Sequence, residues 1–103
     1  MLVQKKYATG DVVCFKLVNG DETIAKIVEE SDSAFVVSKP CTVVPSPQGL
    51  GLMQSLFSAD INTNITLNRE HVIMHAPVVD KIQTHYIQTT TGIQPVSKGS
   101  IIT

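Results

Sequence analysis

The chain has 103 residues, of which 43% are hydrophobic and 17% charged, a balance that fits one folded domain and excludes both disorder and a second domain. Nine acids against eight bases leave a net charge of −1, without the basic excess on which strong nucleic-acid binding usually rests. Oligomerisation would still gather a few bases on one face. Tryptophan is absent and the aromatics are Tyr7, Phe15, Phe35, Phe57 and Tyr86, so the core must rest on Val, Ile and Leu, which favour strands.

Residues 1–10 form a lead-in that ends in the turn Thr9-Gly10-Asp11. The first predicted strand, residues 12–18, places Val13, Phe15 and Leu17 on one face and Val12, Cys14, Lys16 and Val18 on the other. Asn19-Gly20 follows, the strongest local hairpin signal, and it predicts a type I′ turn with positive φ at both residues. The second strand, residues 22–30, has no purely polar face. Such a strand is expected to bend and change neighbours midway, as in small barrels.

A turn over residues 30–33 leads into a third strand, residues 33–44, in which Pro40 marks an edge or a bulge because it has no N–H to donate. Residues 45–49 read as a loop. Residues 50–59 suit a strand returning beside residues 41–44, with a short helix as the alternative, weakened by Gly51. Residues 60–64 are a polar loop, and residues 65–67 resume a strand. After a turn at residues 68–70 comes the last strand, residues 71–76. These short strands with close turns predict an all-β fold: a small, strongly bent, five-stranded antiparallel open barrel spanning about residues 9–76.

After Pro77 the period changes. Val79, Ile82 and Tyr86 share one face of a predicted helix over residues 78–91, with Pro77 or Val78 at its start and Gly92 at its stop. The apolar stripe is expected to cap an open end of the barrel. Residues 92–103 show no pattern and read as a tail or a strand lent to a neighbour. The whole of 1–103 is one domain.

The leucine, Asn19-Gly20 turn, bent strand and Asp32 opening the third strand resemble the first motif of Sm-like proteins, the LSm and Hfq superfamily. Residues 67–72 resemble the short second motif between its last two strands. Divergent members encoded by bacteriophages look most similar. The resemblance implies an open barrel that assembles into a homo-oligomeric ring of about five to seven subunits, the fourth strand of one subunit pairing with the fifth of the next. It also implies single-stranded RNA as a partner. On this resemblance the candidate nucleic-acid-binding residues are Arg69, Asn68, Phe35, Asp32 and His71, with Asn19 and Gly20 as the structural turn. The sequence departs from the motif where a base-holding asparagine is replaced by Val36 and the bend glycine by Ala25. The base-stacking position falls on Phe35 or Ala34, depending on register. The Arg-Gly pair of the second motif has become Asn68-Arg69 or Arg69-Glu70. A ring of this kind is read as a divergent RNA-binding or RNA-chaperone-like module, or as a protein-interaction adaptor that has lost nucleic-acid binding.

The residues themselves point to no enzyme and no cofactor. His71 and His75 are four apart, but on a strand that separation spans about 13 Å, too far for one ion to bridge. Cys14 and Cys41 are too few for a metal motif and read as free thiols of a reducing compartment. Glu29, Glu30 and Asp32 read as a solvated acidic cluster. Arg69, with Lys5, Lys6 and Asn68, is the basic candidate for a phosphate backbone, repeated around a ring as a girdle. The alternative pairs Arg69 with Glu70 or with an acid of a neighbouring subunit. The N-terminus lacks a signal-peptide core, and no apolar run approaches the roughly 20 residues of a membrane span. The expected location is the cytoplasm, that of the host for a phage protein.

Overall fold

The alternation of residues 12–17 is realised as β1 (Val12–Leu17) in a computed structural model that describes residues 6–91. Val13 and Phe15 are fully buried in one cluster and Val12 is buried in another on the opposite face, so both sides of β1 are covered. β1 pairs with β2 (Glu22–Glu30) from Val12↔Lys26 to Lys16↔Glu22. The connection differs from the type I′ turn predicted. Gly20 has φ +96°, whereas Asn19 keeps negative φ. The Gly20 N–H donates to the Leu17 carbonyl at 2.9 Å, and the Leu17 N–H donates to the Asp21 carbonyl at 2.9 Å. This is a three-residue loop closed by a glycine in the left-handed region. Val18 joins the loop because its N–H is taken elsewhere, by the His71 carbonyl at 2.9 Å.

β2 has the mixed faces expected of a bent strand. Thr23, Ile24 and Ala25 are buried in succession, and the β2–β3 register shifts between Ile24 and Lys26 and again between Ile27 and Glu29. Extra residues of this kind bend a strand and increase its twist. β3 (Ala34–Ser46) is the longest strand. Its irregularity sits at the predicted place: Lys39 has φ 50°, and Pro40 follows it, buried.

All six segments read as strands are present, one more than the five of the expected barrel, in an antiparallel sheet of order β4-β3-β2-β1-β6 with β5 also paired to β3. β4 (Gly49–Gln54) runs beside Cys41–Ser46, and β5 (Ile65–Asn68) beside Ala34–Val37. The strand expected over residues 50–59 thus stops at Gln54. Where β3 bulges, the ladder beside it breaks: the Ser55 N–H donates to the Pro40 carbonyl at 3.0 Å, and residues 55–64 leave the sheet. A short 3-10 turn (Arg69–His71) joins β5 to β6 (Val72–Pro77), which pairs with β1. β5 and β6 do not pair with each other, and the sheet does not close.

Two clusters cover the two faces. The inner one contains Val13, Phe15, Ala25, Ile27, Phe35 and Val37, with Tyr7, Leu17, Ile65, Leu67 and Val72 against them. The second contains Val12, Ile24, Cys41 and Tyr86, flanked by Val43, Leu52, Val78 and Ile82. Tyr86 and Ile82 belong to α1 (Asp80–Thr91), so the helix lies against the reverse face of the sheet, not over an open end. It also starts later than residue 78. Pro77 still pairs with Val13, and the Val78 N–H donates to the Val12 carbonyl at 3.2 Å, which holds both residues in the ladder. Val79 is consequently outside the apolar stripe and 66% exposed. The predicted stop at Gly92 and the tail of residues 92–103 lie outside the described residues, as does Lys5.

The helix is fastened to the bulge. The Tyr86 hydroxyl lies 2.9 Å from the Lys39 carbonyl and 3.2 Å from that of Ser38, donating to both, with the ring fully buried. Burial pushes the phenol well above its ordinary value, reinforced by the nearby Cys41. Tyr86→Phe is expected to cost about 1–2 kcal/mol in urea unfolding at neutral pH, because it strands two carbonyls at the bulge. A phenol whose pKa is raised by folding lends stability below its unfolded value near pH 10 and loses it above. Wild-type melting temperature should therefore fall more steeply than that of Tyr86→Phe above about pH 10.

Candidate functional site

The candidate residues converge where two connections meet. Antiparallel pairing of β3 with β5 sets Ala34 opposite Asn68, so the residues before β3 and after β5 lie side by side. The Arg69 N–H donates to the Ser33 carbonyl at 2.9 Å and locks the two together. A surface depression of about 540 Å³ results, lined by Asp32, Ser33, Asn68, Arg69 and Glu70. Asp32 and Asn68 are exposed at its rim. Three of the five candidate residues, Asp32 and the distant neighbours Asn68 and Arg69, are thereby brought to one place.

Arg69 separates this depression from a groove of about 250 Å³ lined by Lys6, Tyr7, Glu30, Ser31, Asp32 and His75 together with the arginine itself. Its Nη1 donates to Glu30 Oε2 at 3.0 Å and to the Ser31 carbonyl at 3.2 Å. The guanidinium carbon sits 4.4 Å from the centroid of the Phe35 ring, within the range of a cation–π contact. The Arg69 side chain is 31% exposed and that of Glu30 only 7%. Arg69 is thus paired with an acid of its own chain, and that acid is neither Glu70 nor a residue of a neighbour.

Phe35 and His71 are placed differently from the other candidates. Phe35 is fully buried and meets Phe15 edge-on at 5.0 Å between centroids. It has no free face to offer a base, and its contribution is to hold Arg69 from below. His71 is exposed in the 3-10 turn, its Nε2 3.8 Å from a Glu70 carboxylate oxygen, and it lines neither concavity. No group of three or more His, Cys, Asp or Glu among the described residues could hold a metal ion. Cys14 and Cys41 are free thiols. The Cys14 Sγ donates to the Ala76 carbonyl at 3.3 Å, and burial raises the pKa of both thiols.

Tyr7 was given no site role by the sequence, and His75 was weighed there only as a metal ligand. Tyr7 spans the groove: its N–H donates to Glu30 Oε1 at 2.9 Å, and its hydroxyl is 2.7 Å from His75 Nδ1. His75 lies among the rings of Tyr7, Phe35 and Phe15 at 5.5, 5.3 and 6.3 Å. Glu30, grouped by sequence with the solvated acids, is an internal anchor. Burial acts to raise its carboxyl pKa, but the Tyr7 N–H and the Arg69 guanidinium outweigh it and hold the group below its ordinary value. Glu29 and Asp32 remain exposed as expected. Only Phe35, opposite Glu30 across the ladder, hinted at an inward position, and that hint needs the register.

Around the two concavities the carboxylates of Glu30, Asp32 and Glu70 face the cations Lys6 and Arg69. The local balance is −1, as for the chain. Such a surface suits hydrogen bonding to bases or amides better than neutralisation of a phosphate backbone. No helix among the described residues is long and apolar enough to cross a membrane. No protein-family model matches the chain, and no curated protein matches it.

A carboxyl whose pKa is lowered by folding lends stability above its unfolded value, near pH 4.3, and loses it as pH falls through the folded value. Glu30→Gln should flatten the acid limb of a melting-temperature profile below about pH 5. Arg69→Ala leaves a buried carboxylate short of its charged donor and should cost about 1–3 kcal/mol in urea unfolding at pH 7.

Proposed function

We propose that this chain is a divergent Sm-like module of the phage-encoded type, acting as a homo-oligomeric ring that holds single-stranded RNA weakly at the Asp32–Asn68–Arg69 depression. The observation that carries the reading is the sheet order β4-β3-β2-β1-β6, with β5 beside β3 and a single turn joining β5 to β6. That order leaves one free edge at β4 and β5 and another at β6, both on an open sheet. Free edges of this kind invite pairing with a second chain. One edge against the other is a head-to-tail contact, which closes into a ring when the rotation permits. The side chains fit such a use: Ile73 and Met74 on β6 are 58% and 62% exposed, and Leu50 and Met53 on β4 are 65% and 43% exposed. The ring contains about five to seven copies, the number the family resemblance implies.

Within it, the depression recurs once per subunit. Asn68 offers an amide that both donates and accepts, and Arg69 is held rigidly by Glu30, Ser31 and Phe35. The protein binds rather than catalyses, and it works in the cytoplasm. A second reading, a ring adaptor for protein partners without nucleic-acid binding, is favoured by the surplus of carboxylates at the depression and by the burial of Phe35.

Light scattering at micromolar concentration is expected to give a mass about five to seven times 11.2 kDa. Ile73→Glu should shift it towards the monomer, and a wild-type monomer would overturn the ring. Labelled oligo-U and oligo-A at low salt should bind with affinity that falls on adding salt and drops about tenfold in Asn68→Ala. Absent binding selects the adaptor.

A further inference from the structure

The Asn19-Gly20 loop carries chemistry of its own. An asparagine followed by glycine is open to intramolecular attack, because glycine has no side chain to shield its amide nitrogen. The Gly20 nitrogen, after losing its proton to hydroxide, bonds to Asn19 Cγ and closes a cyclic imide. The Cγ–Nδ2 bond breaks and the nitrogen leaves as ammonia, protonated by solvent. Water then opens the imide at either carbonyl, giving aspartate or isoaspartate. The net change is one water consumed and one ammonia released.

Water has access here. Asn19 and Gly20 are exposed, and nothing lies within 4 Å of where a Gly20 Cβ would stand. Three hydrogen bonds oppose the reaction. The Gly20 N–H, source of the nucleophile, is committed to the Leu17 carbonyl at 2.9 Å. The Asn19 carboxamide is tied at both ends to the residue beyond Gly20: Oδ1 accepts from the Asp21 N–H at 3.0 Å, and Nδ2 donates to Asp21 Oδ2 at 3.2 Å. The Leu17 N–H bond to the Asp21 carbonyl, 2.9 Å, keeps the loop closed around them. Attack requires the first bond to break and the carboxamide to swing away from Asp21.

We propose that Asn19 is a deamidation site gated by the β1–β2 hairpin, unreactive while the hairpin is closed and converted by water when it opens. The product favours the open state. A carboxylate at position 19 loses the Nδ2 donor and faces Asp21 with like charge. Isoaspartate further lengthens the backbone of a loop that sets the Lys16↔Glu22 register. An unfolding event long enough for the chemistry is thereby recorded in the chain.

The test is peptide mass mapping of the full-length protein, held at mildly alkaline pH with and without denaturing urea. The peptide containing Asn19 should gain about one mass unit at least tenfold faster in urea than in the native protein. Asp21→Ala, which removes one of the two ties on the carboxamide, should speed the native reaction severalfold and leave the rate in urea unchanged. Native and urea rates that agree within about twofold would overturn the gating, as would a native Asp21→Ala rate equal to wild type.

Discussion

One irregularity in β3 governs the layout of the chain. At Lys39 the backbone enters the left-handed region, φ 50°, and Pro40 follows, a conformation that costs an ordinary L-residue about 1–2 kcal/mol. It persists because its carbonyls are claimed from two directions. Tyr86 of α1 takes those of Ser38 and Lys39, and Ser55 takes that of Pro40. The extra residue also changes what β3 can pair with. Before the bulge its free edge accepts β5, and after it, β4. A strand of uniform register would have had one partner there. Helix, bulge and split neighbour are thus mutually dependent.

At the other end of β3 an electrostatic arrangement plays a similar part. Glu30 closes β2, Arg69 opens the turn before β6, and Tyr7 precedes β1, so three distant segments meet in one set of hydrogen bonds. The arginine is held on its apolar face by Phe35 and on its polar edge by Glu30 and Ser31. Much of its charge is already balanced, which moderates any attraction to polyanions. Its rigidity favours recognition by shape and hydrogen bonding over simple attraction. The Tyr7 hydroxyl extends the same set to His75 on β6.

The parts of this fold that repeat locally could be read from the residues. Alternation fixed the faces of β1, Pro40 marked the bulge, and the spacing of Ile82 and Tyr86 gave the helix its buried side. What escaped depended on partners distant in sequence. The Asn19-Gly20 loop gained a third residue because Val18 is held by His71. The helix began at Asp80 because Val78 is still bonded to Val12. Residues 50–59 split because Ser55 answers the bulge in β3. Glu30 looked like its solvated neighbours until the β2–β3 register turned it towards Arg69. The convergence of Asp32 with the adjacent pair Asn68-Arg69 was legible only through a family resemblance; nothing else in their chain positions brings the two segments together.

The excursion of residues 55–64 leaves β3 at one point and returns to the same edge a few residues away. Its two anchors, Ser55 on Pro40 and Ile65 opposite Val37, are fixed by β3 itself and not by the length of chain between them. Loop closure depends only weakly on length. A foreign peptide or small tag spliced between Phe57 and Asp60 therefore has a place to protrude, with the register of β4 and β5 untouched on either side.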